Sequence, residues 1–148
     1  MSAPKTVSVD EAKKLLDQGY VYVDVRSEPE FEATHVPGAL NVPLNHQGPR
    51  GMLPNPDFMS VMQTVFAKDE KLVVGCKSGG RSKRAAGLLV EAGFTEVVEM
   101  TPGIDSGRDA FGRPLKGWLQ EGLPTEQGSP QGQRYSDVKQ RTARGSSA

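Results

Sequence analysis

Apolar and polar positions change period several times along the chain, and each change marks an element. Thr6-Val7 is a short extended segment. Ser8-Val9-Asp10-Glu11 then has the spacing of a capping box, in which Ser8 and Glu11 exchange hydrogen bonds with free N–H groups. A helix to Gln18 follows, with Ala12, Leu15 and Leu16 on its apolar face, Lys13, Lys14 and Asp17 on its wet face, and Gly19 as its left-handed stop. Tyr20 to Val25 is rich in β-formers with little alternation, the pattern of a central strand covered on both faces. Glu28 to Ala33 predicts a short helix, and His35 to Pro43 turns through Pro37-Gly38 into another short strand. Gly48 to Asn55 reads as a loop. Asn55-Pro56 supplies a cap and a first-turn proline for a helix to about Ala67, striped by Phe58, Met59, Met62, Val65 and Phe66.

Lys71 to Gly75 predicts a buried strand, Ser82 to Ala92 a helix closed by Gly93, and Glu96 to Met100 a last strand. Strand and helix signals alternate, so the class is α/β: a central, largely parallel β-sheet flanked by helices on both faces, with right-handed crossovers. The 148 residues suffice for one domain with a real core. That domain is expected over residues 1–125, with residues 104–117 as an inserted surface loop. Residues 126–148 are mostly Gly, Ser, Gln and Arg and are expected to form a disordered or loosely attached tail, mildly basic through Arg134, Lys139, Arg141 and Arg144.

Eighteen Lys and Arg balance eighteen Asp and Glu. This leaves no overall field for nucleic acid or an anionic membrane, and neither is expected as a partner. A single cysteine excludes an intramolecular disulfide framework and a multi-cysteine zinc site, and neither metal nor cofactor is expected. No run approaches the ~18 apolar residues of a membrane span, and the first residues carry no apolar signal core. A reactive unpaired thiol is easiest to keep in a reducing compartment. The expected location is therefore cytoplasmic or an organelle matrix, a plastid or mitochondrion if a transit peptide has been removed, and not secreted.

The chemistry concentrates in Cys76-Lys77-Ser78-Gly79-Gly80-Arg81-Ser82, between an apolar strand and a helix. Such a turn points backbone N–H groups inward, and the helix start adds the positive end of its dipole, so an anionic sulfur is stabilised there. Lys77 and Arg81 add fixed positive charge, and Gly79 and Gly80 let the backbone curl around the sulfur. A cysteine present only for packing needs none of these neighbours. Asp24 and Arg26 lie at the carboxyl end of the first long strand, the edge where open α/β sheets place their sites. An ion pair or hydrogen-bond network fixing a loop is the favoured reading there over catalysis. His35 reads as an imidazole bonded to backbone at a tight turn rather than a general base, and His46 receives no role. Arg50 or Met52, before the third helix, and Arg108 or Arg113, on the insert, are candidates for substrate contact. Surface decoration is the alternative.

Cys76 to Ser82 resembles the active-site loop of the rhodanese-like sulfurtransferases, specifically the six-residue kind. Four residues separate Cys76 from Arg81, where cysteine-dependent phosphatases enclose five, and the shorter loop fits a single sulfur bonded to the cysteine. Asp24-Val25-Arg26 and His35-Val36-Pro37-Gly38-Ala39 are similar to two further recurrent stretches of that family. The resemblance covers about Ser8 to Pro124. Pro102-Gly103 stands where the family carries Gly-Gly, and residues 104–117 separate it from Trp118, which the family places on a final helix. The resemblance implies a thiosulfate sulfurtransferase that carries sulfur as a Cys76 persulfide, held by the N–H groups from Lys77 to Ser82. Its implied donors are thiosulfate or a persulfide, and its implied acceptors cyanide or a thiol such as glutathione or reduced thioredoxin. Lys77 and Arg81 would orient the anion, or Arg81 would brace the loop against Asp24 or Glu30. Arsenate reduction on the same fold and a non-catalytic binding or regulatory module are the alternatives. The intact cysteine and both loop glycines count against the second.

Overall fold

The capping box at Ser8 forms as its spacing predicts, with Glu11 N–H donating to Ser8 Oγ at 3.2 Å and Ser8 N–H to Glu11 Oε1 at 3.0 Å. In this computed structural model, which describes residues 4–141, the box separates strand β1 (Lys5–Val7) from helix α1 (Val9–Asp17). Strand β2 (Val21–Asp24), helix α2 (Glu28–Ala33) and strand β3 (Leu40–Asn41) follow. Next come a hairpin of β4 (Asn45–Gly48) and β5 (Gly51–Pro54), helix α3 (Phe58–Val65), strand β6 (Leu72–Gly75), helix α4 (Gly80–Glu91) and strand β7 (Val97–Met100). A small hairpin of β8 (Gly107–Arg108) and β9 (Pro114–Leu115) and a short helix α5 (Tyr135–Val138) complete the described chain.

The main sheet has the order β1-β7-β6-β2-β3, with every neighbouring pair parallel. β6 lies at its centre and is buried along its whole length, as an unbroken apolar run requires. Alternation sends Val23, Leu72, Val74 and Val97 to one face, where they pack on Met62 of α3 and Ala85, Ala86 and Leu89 of α4. Tyr22, Val73, Val98 and Met100 go to the other, against Val9 and Ala12 of α1, Phe31 of α2 and Trp118. Each fully buried Val or Leu side chain is worth about 1.5–3 kcal/mol. From β2 the chain continues outward to β3, and from β6 in the opposite direction to β7. The winding thus reverses between β2 and β6, and the crevice at their carboxyl ends is where such sheets place ligands. Cys76 follows β6 at that crevice.

The structure departs from the sequence reading in three places. Gly48 to Asn55 is not simply a loop: Gly51–Pro54 pairs antiparallel with Asn45–Gly48. Met52 and Leu53 are exposed, so the hairpin buries no face and leaves no alternation to read. Second, α3 starts at Phe58, because the Asn55 Oδ1 accepts from Asp57 N–H at 3.0 Å in an Asx turn while its Nδ2 donates to the Pro43 carbonyl. Third, the segment from Glu126 is seated on the domain as far as it is described. His35 and Glu126 exchange backbone hydrogen bonds, Asn41 N–H donates to the Gln133 carbonyl, and Tyr135 and Val138 are buried in the core against α3. Arg134 pairs with Asp137, and Arg141 donates to the Gly132 carbonyl. Two apolar residues at i and i+3 are enough to dock it, although the surrounding composition hid them. Arg144 and the rest of residues 142–148 lie outside the described residues.

Removing the Tyr135 ring is therefore expected to lower stability by about 2–4 kcal/mol in urea titration and to open residues 126–141 to limited proteolysis. An unchanged midpoint and cleavage pattern would show that the segment is no part of the core.

Candidate active site

β6 delivers Cys76, and Gly79, in left-handed conformation at φ 118°, turns the chain into α4. The helix begins at Gly80, two residues before the predicted Ser82. The result is a tight loop folded over its own sulfur. Gly79 N–H donates to Cys76 Sγ at 3.1 Å and Ser82 N–H at 3.3 Å, while Sγ lies 3.5 Å from Ser82 Oγ. Cys76 is buried, with about 1% of its surface exposed. The intervening Gly80 and Arg81 open the helix, where N–H groups have no partner within it.

The outer side of the loop is equally defined. Ile104 N–H donates to the Cys76 carbonyl at 3.0 Å and Asp105 N–H to the Lys77 carbonyl at 2.9 Å. A peptide is planar and trans, so a carbonyl drawn outward turns the next residue's N–H to the opposite side. The amides of Lys77 and Ser78 therefore face away from residues 104 and 105. Gly103 makes this possible: a Cβ there would collide with the carbonyls of Cys76 and Lys77. Gly75, one residue before the cysteine, likewise has no room for a Cβ beside the Tyr22 hydroxyl.

Arg81 turns toward Glu30, with NH1 to Oε1 at 2.6 Å and NH2 to Oε2 at 3.0 Å, one of the two braces the sequence allowed. Glu30 also accepts from the N–H and hydroxyl of Ser27 at the start of α2, so one carboxylate ties that helix to the loop. Half-burial pushes the Glu30 carboxyl up, but the bonds from Arg81 and Ser27 outweigh it and bring its pKa from 4.5 to about 2. The Glu30 hydrogen bond in turn raises Arg81, against desolvation. Lys77 and Ser78 are exposed at the loop. Lys77 borders a pocket of about 200 Å³ with Arg26, Glu30, Thr34, Ile104 and Asp105.

Asp24 and Arg26 form a buried pair, with Arg26 NH2 at 2.7 Å from Asp24 Oδ2 and 2.6 Å from the Thr34 carbonyl. This is the loop-fixing network, joining β2 to the end of α2. His35 is wholly buried, with Nδ1 bonded to the Phe31 carbonyl at 2.8 Å and its ring stacked on Phe31. His46 lies beside the Tyr135 ring. Arg108 and Arg113 are tied within their own hairpin to the Gly112 carbonyl and Asp109, and Arg50 and Met52 are exposed on the β4–β5 hairpin. Trp118 sits in a turn rather than on a helix, buried, with Nε1 donating to the Pro124 carbonyl. Among the described residues no three His, Cys, Asp or Glu side chains gather to hold a metal ion.

Sequence reasoning missed two residues. One is Gly103, noticed in the sequence only as part of Pro102-Gly103, a poor match to the family's Gly-Gly turn. The other is Glu99, a carboxylate buried behind Ser82, which accepts from Ser82 Oγ at 3.3 Å, Thr6 Oγ1 at 2.6 Å and Thr101 Oγ1 at 2.8 Å. A Glu inside the buried run Val97-Val98-Glu99-Met100 was signal enough to find it.

The Rhodanese-like domain family matches residues 8–110, a range that begins at the α1 cap and includes the whole loop. The chain belongs to that family. It is 40% identical over 123 residues to Thiosulfate sulfurtransferase 16, chloroplastic, of Arabidopsis thaliana, covering 83% of this chain and 93% of that one. It is 42% identical over 106 residues to Protein HIGH ARSENIC CONTENT 1, mitochondrial, of the same plant, covering 72% of this chain and 63% of the relative. Among solved structures, Rv0390 from M. tuberculosis superposes with a TM-score of 0.70 at 28% identity, over 86% of this chain and all of that one. The Human Single Domain Sulfurtransferase gives 0.55 at 27%, over 69% and 92%. The rhodanese-like fold thus accounts for the parallel sheet and for a cysteine loop between a central strand and a helix.

Because folding lowers the Glu30 pKa, the Arg81 clamp contributes fully above the ordinary carboxylate value and is lost as pH falls from 4.5 toward 2. Wild type and Glu30→Gln are expected to differ by about 1–2 kcal/mol in urea unfolding near neutrality and to converge toward pH 2. Curves that stay parallel across this range would remove the clamp.

Proposed function

We propose that the chain is a sulfurtransferase that moves a sulfane sulfur from thiosulfate or a persulfide donor to a thiophilic acceptor through a persulfide on Cys76. One observation carries this reading: two backbone amides at a helix start converge on the only sulfhydryl of the chain. Cys76 thiolate attacks the outer sulfur of thiosulfate, the S–S bond breaks, and sulfite leaves with the electron pair. The new outer sulfur is anionic, and the loop amides from Lys77 to Ser82, of which Gly79 and Ser82 already donate to Sγ, receive it. Lys77, exposed at the loop, orients the dianion. Arg81 acts chiefly by holding the loop, since its guanidinium is engaged by Glu30. Cyanide in vitro, or glutathione or reduced thioredoxin in the cell, then collects the sulfur. Relatives named chloroplastic and mitochondrial support an organelle matrix as the location.

Arsenate reduction is the second reading, favoured by the 42% identity to a relative whose name refers to arsenic. There the same thiolate would attack arsenate and a thiol would release arsenite. Thiocyanate release and a glutathione-coupled arsenite assay on one preparation separate the two.

Wild-type protein is expected to release thiocyanate from thiosulfate and cyanide, and Cys76→Ser to lose at least about a thousandfold of that rate while unfolding at the wild-type temperature. Residual turnover near wild type would remove Cys76 from the mechanism, and arsenite without thiocyanate would put the second reading first. Lys77→Ala is expected to raise KM about threefold to tenfold for thiosulfate and less for a neutral persulfide donor. Equal effects on both donors would remove its electrostatic role.

A further inference from the structure

Glu99 occupies a place where a charge is costly. It lies on β7, about 1% exposed, and its neighbours Val98 and Met100 pack on the opposite face of the sheet. A carboxylate taken out of water is expensive unless a cation or good donors compensate it. Among the described residues no lysine, arginine or histidine forms an ion pair with it. Its partners are three hydroxyls: Thr6 from β1, Thr101 just beyond its own strand, and Ser82 from the first turn of α4. The titratable group in hydrogen-bond contact with this cluster is Cys76, whose Sγ lies within hydrogen-bond distance of Ser82 Oγ, while Arg81 and the Tyr22 phenol lie near enough to interact with that sulfur electrostatically.

The contacts form a continuous path. The Cys76 S–H donates to Ser82 Oγ, and the Ser82 O–H donates to Glu99 Oε2. We propose that Glu99 is the internal proton acceptor of Cys76, acting through Ser82. The thiol proton passes to Ser82 Oγ as the S–H bond breaks, and the proton that Ser82 carried bonds to Glu99 Oε2. The products are a Cys76 thiolate and a neutral Glu99, with no proton lost to solvent. The thiolate then accepts from Gly79 N–H, Ser82 N–H and the Ser82 hydroxyl, while the carboxyl gives up its charge in a pocket that holds no cation partner. Cys76 and Glu99 thus share one proton along this path. Ser82 Oγ also lies 3.1 Å from the Gly79 carbonyl, a second resting place for its proton. Glu99 is a positioning residue in this scheme, because it acts on the sulfur through Ser82 and touches no substrate.

The inference rests on the sulfurtransferase reading for its purpose, since it assigns how the attacking sulfur is generated, but its test needs no sulfur transfer. The rate constant for alkylation of Cys76 by iodoacetamide is followed against pH in the wild type and in E99Q. A shared proton makes the wild-type rate climb in two steps, the lower plateau reporting the fraction of singly protonated pairs that carry the charge on sulfur. E99Q climbs in one. Superposable single-step curves would overturn the proposal, because a merely structural glutamate leaves the shape of the profile unchanged. A second readout avoids any failure of E99Q to fold. At neutral pH the infrared spectrum of the wild type should show the carbonyl stretch of a protonated carboxylic acid that Cys76→Ser lacks, since that variant has no thiol proton to pass along the path. The same spectrum in both proteins would overturn it equally. If the alkylation profile behaves as expected and thiocyanate is not formed, the proton path stands and the sulfurtransferase reading fails.

Discussion

A planar peptide cannot turn its N–H toward a sulfur without sending its carbonyl the other way, and the site depends on where those carbonyls go. The carbonyls of Cys76 and Lys77 meet the backbone of residues 103–105, where Ile104 and Asp105 donate to them, which turns the amides of Lys77 and Ser78 away from that side. Gly103 allows the approach, because any side chain there would strike the same two carbonyls. The segment after β7 is therefore the outer wall of the cysteine loop, and it fixes the first two peptides of a loop whose Gly79 and Ser82 amides donate to the sulfur.

Everything that brings these two segments together follows from the sheet order. β6 and β7 are parallel neighbours, so the loop after one and the turn after the other leave the sheet on the same edge, with β2 supplying Asp24 and Arg26 beside them. The three charged contacts at this edge have different tasks. Asp24 and Arg26 fix the backbone between β2 and α2, Glu30 and Arg81 fix α2 to the loop, and Glu99 lies behind Ser82. Two of these are closed ion pairs whose charges are already compensated. Among the described residues the third has hydroxyl partners alone, which leaves it able to exchange a proton with the sulfur.

The sheet and the loop were legible because their signals are local. An unbroken apolar run, a cysteine, two glycines and a small-residue helix are contiguous, and their order alone places the sulfur at a helix start. What the sequence hid depends on contacts far apart in the chain. The brace on Arg81 could be narrowed to two carboxylates, and only folding chose Glu30. Asn45 to Pro54 pairs as a hairpin with no buried face to betray it, and Tyr135 and Val138 dock a segment whose composition suggests a free tail. Pro102-Gly103 looked like a poor match to a Gly-Gly turn, yet Gly103 stands at the point of closest approach. Glu99 was visible as an anomaly, a charge within a doubly covered strand, and that anomaly gains its meaning from Ser82, seventeen residues away.

The most direct test is the intact mass of the protein after treatment with thiosulfate, read before and after addition of cyanide. A sulfur carrier gains the mass of one sulfur atom, on the peptide containing Cys76, and loses it to cyanide. An unchanged mass, or sulfur that cyanide does not remove, would contradict the view that the loop is built around a transferable sulfur.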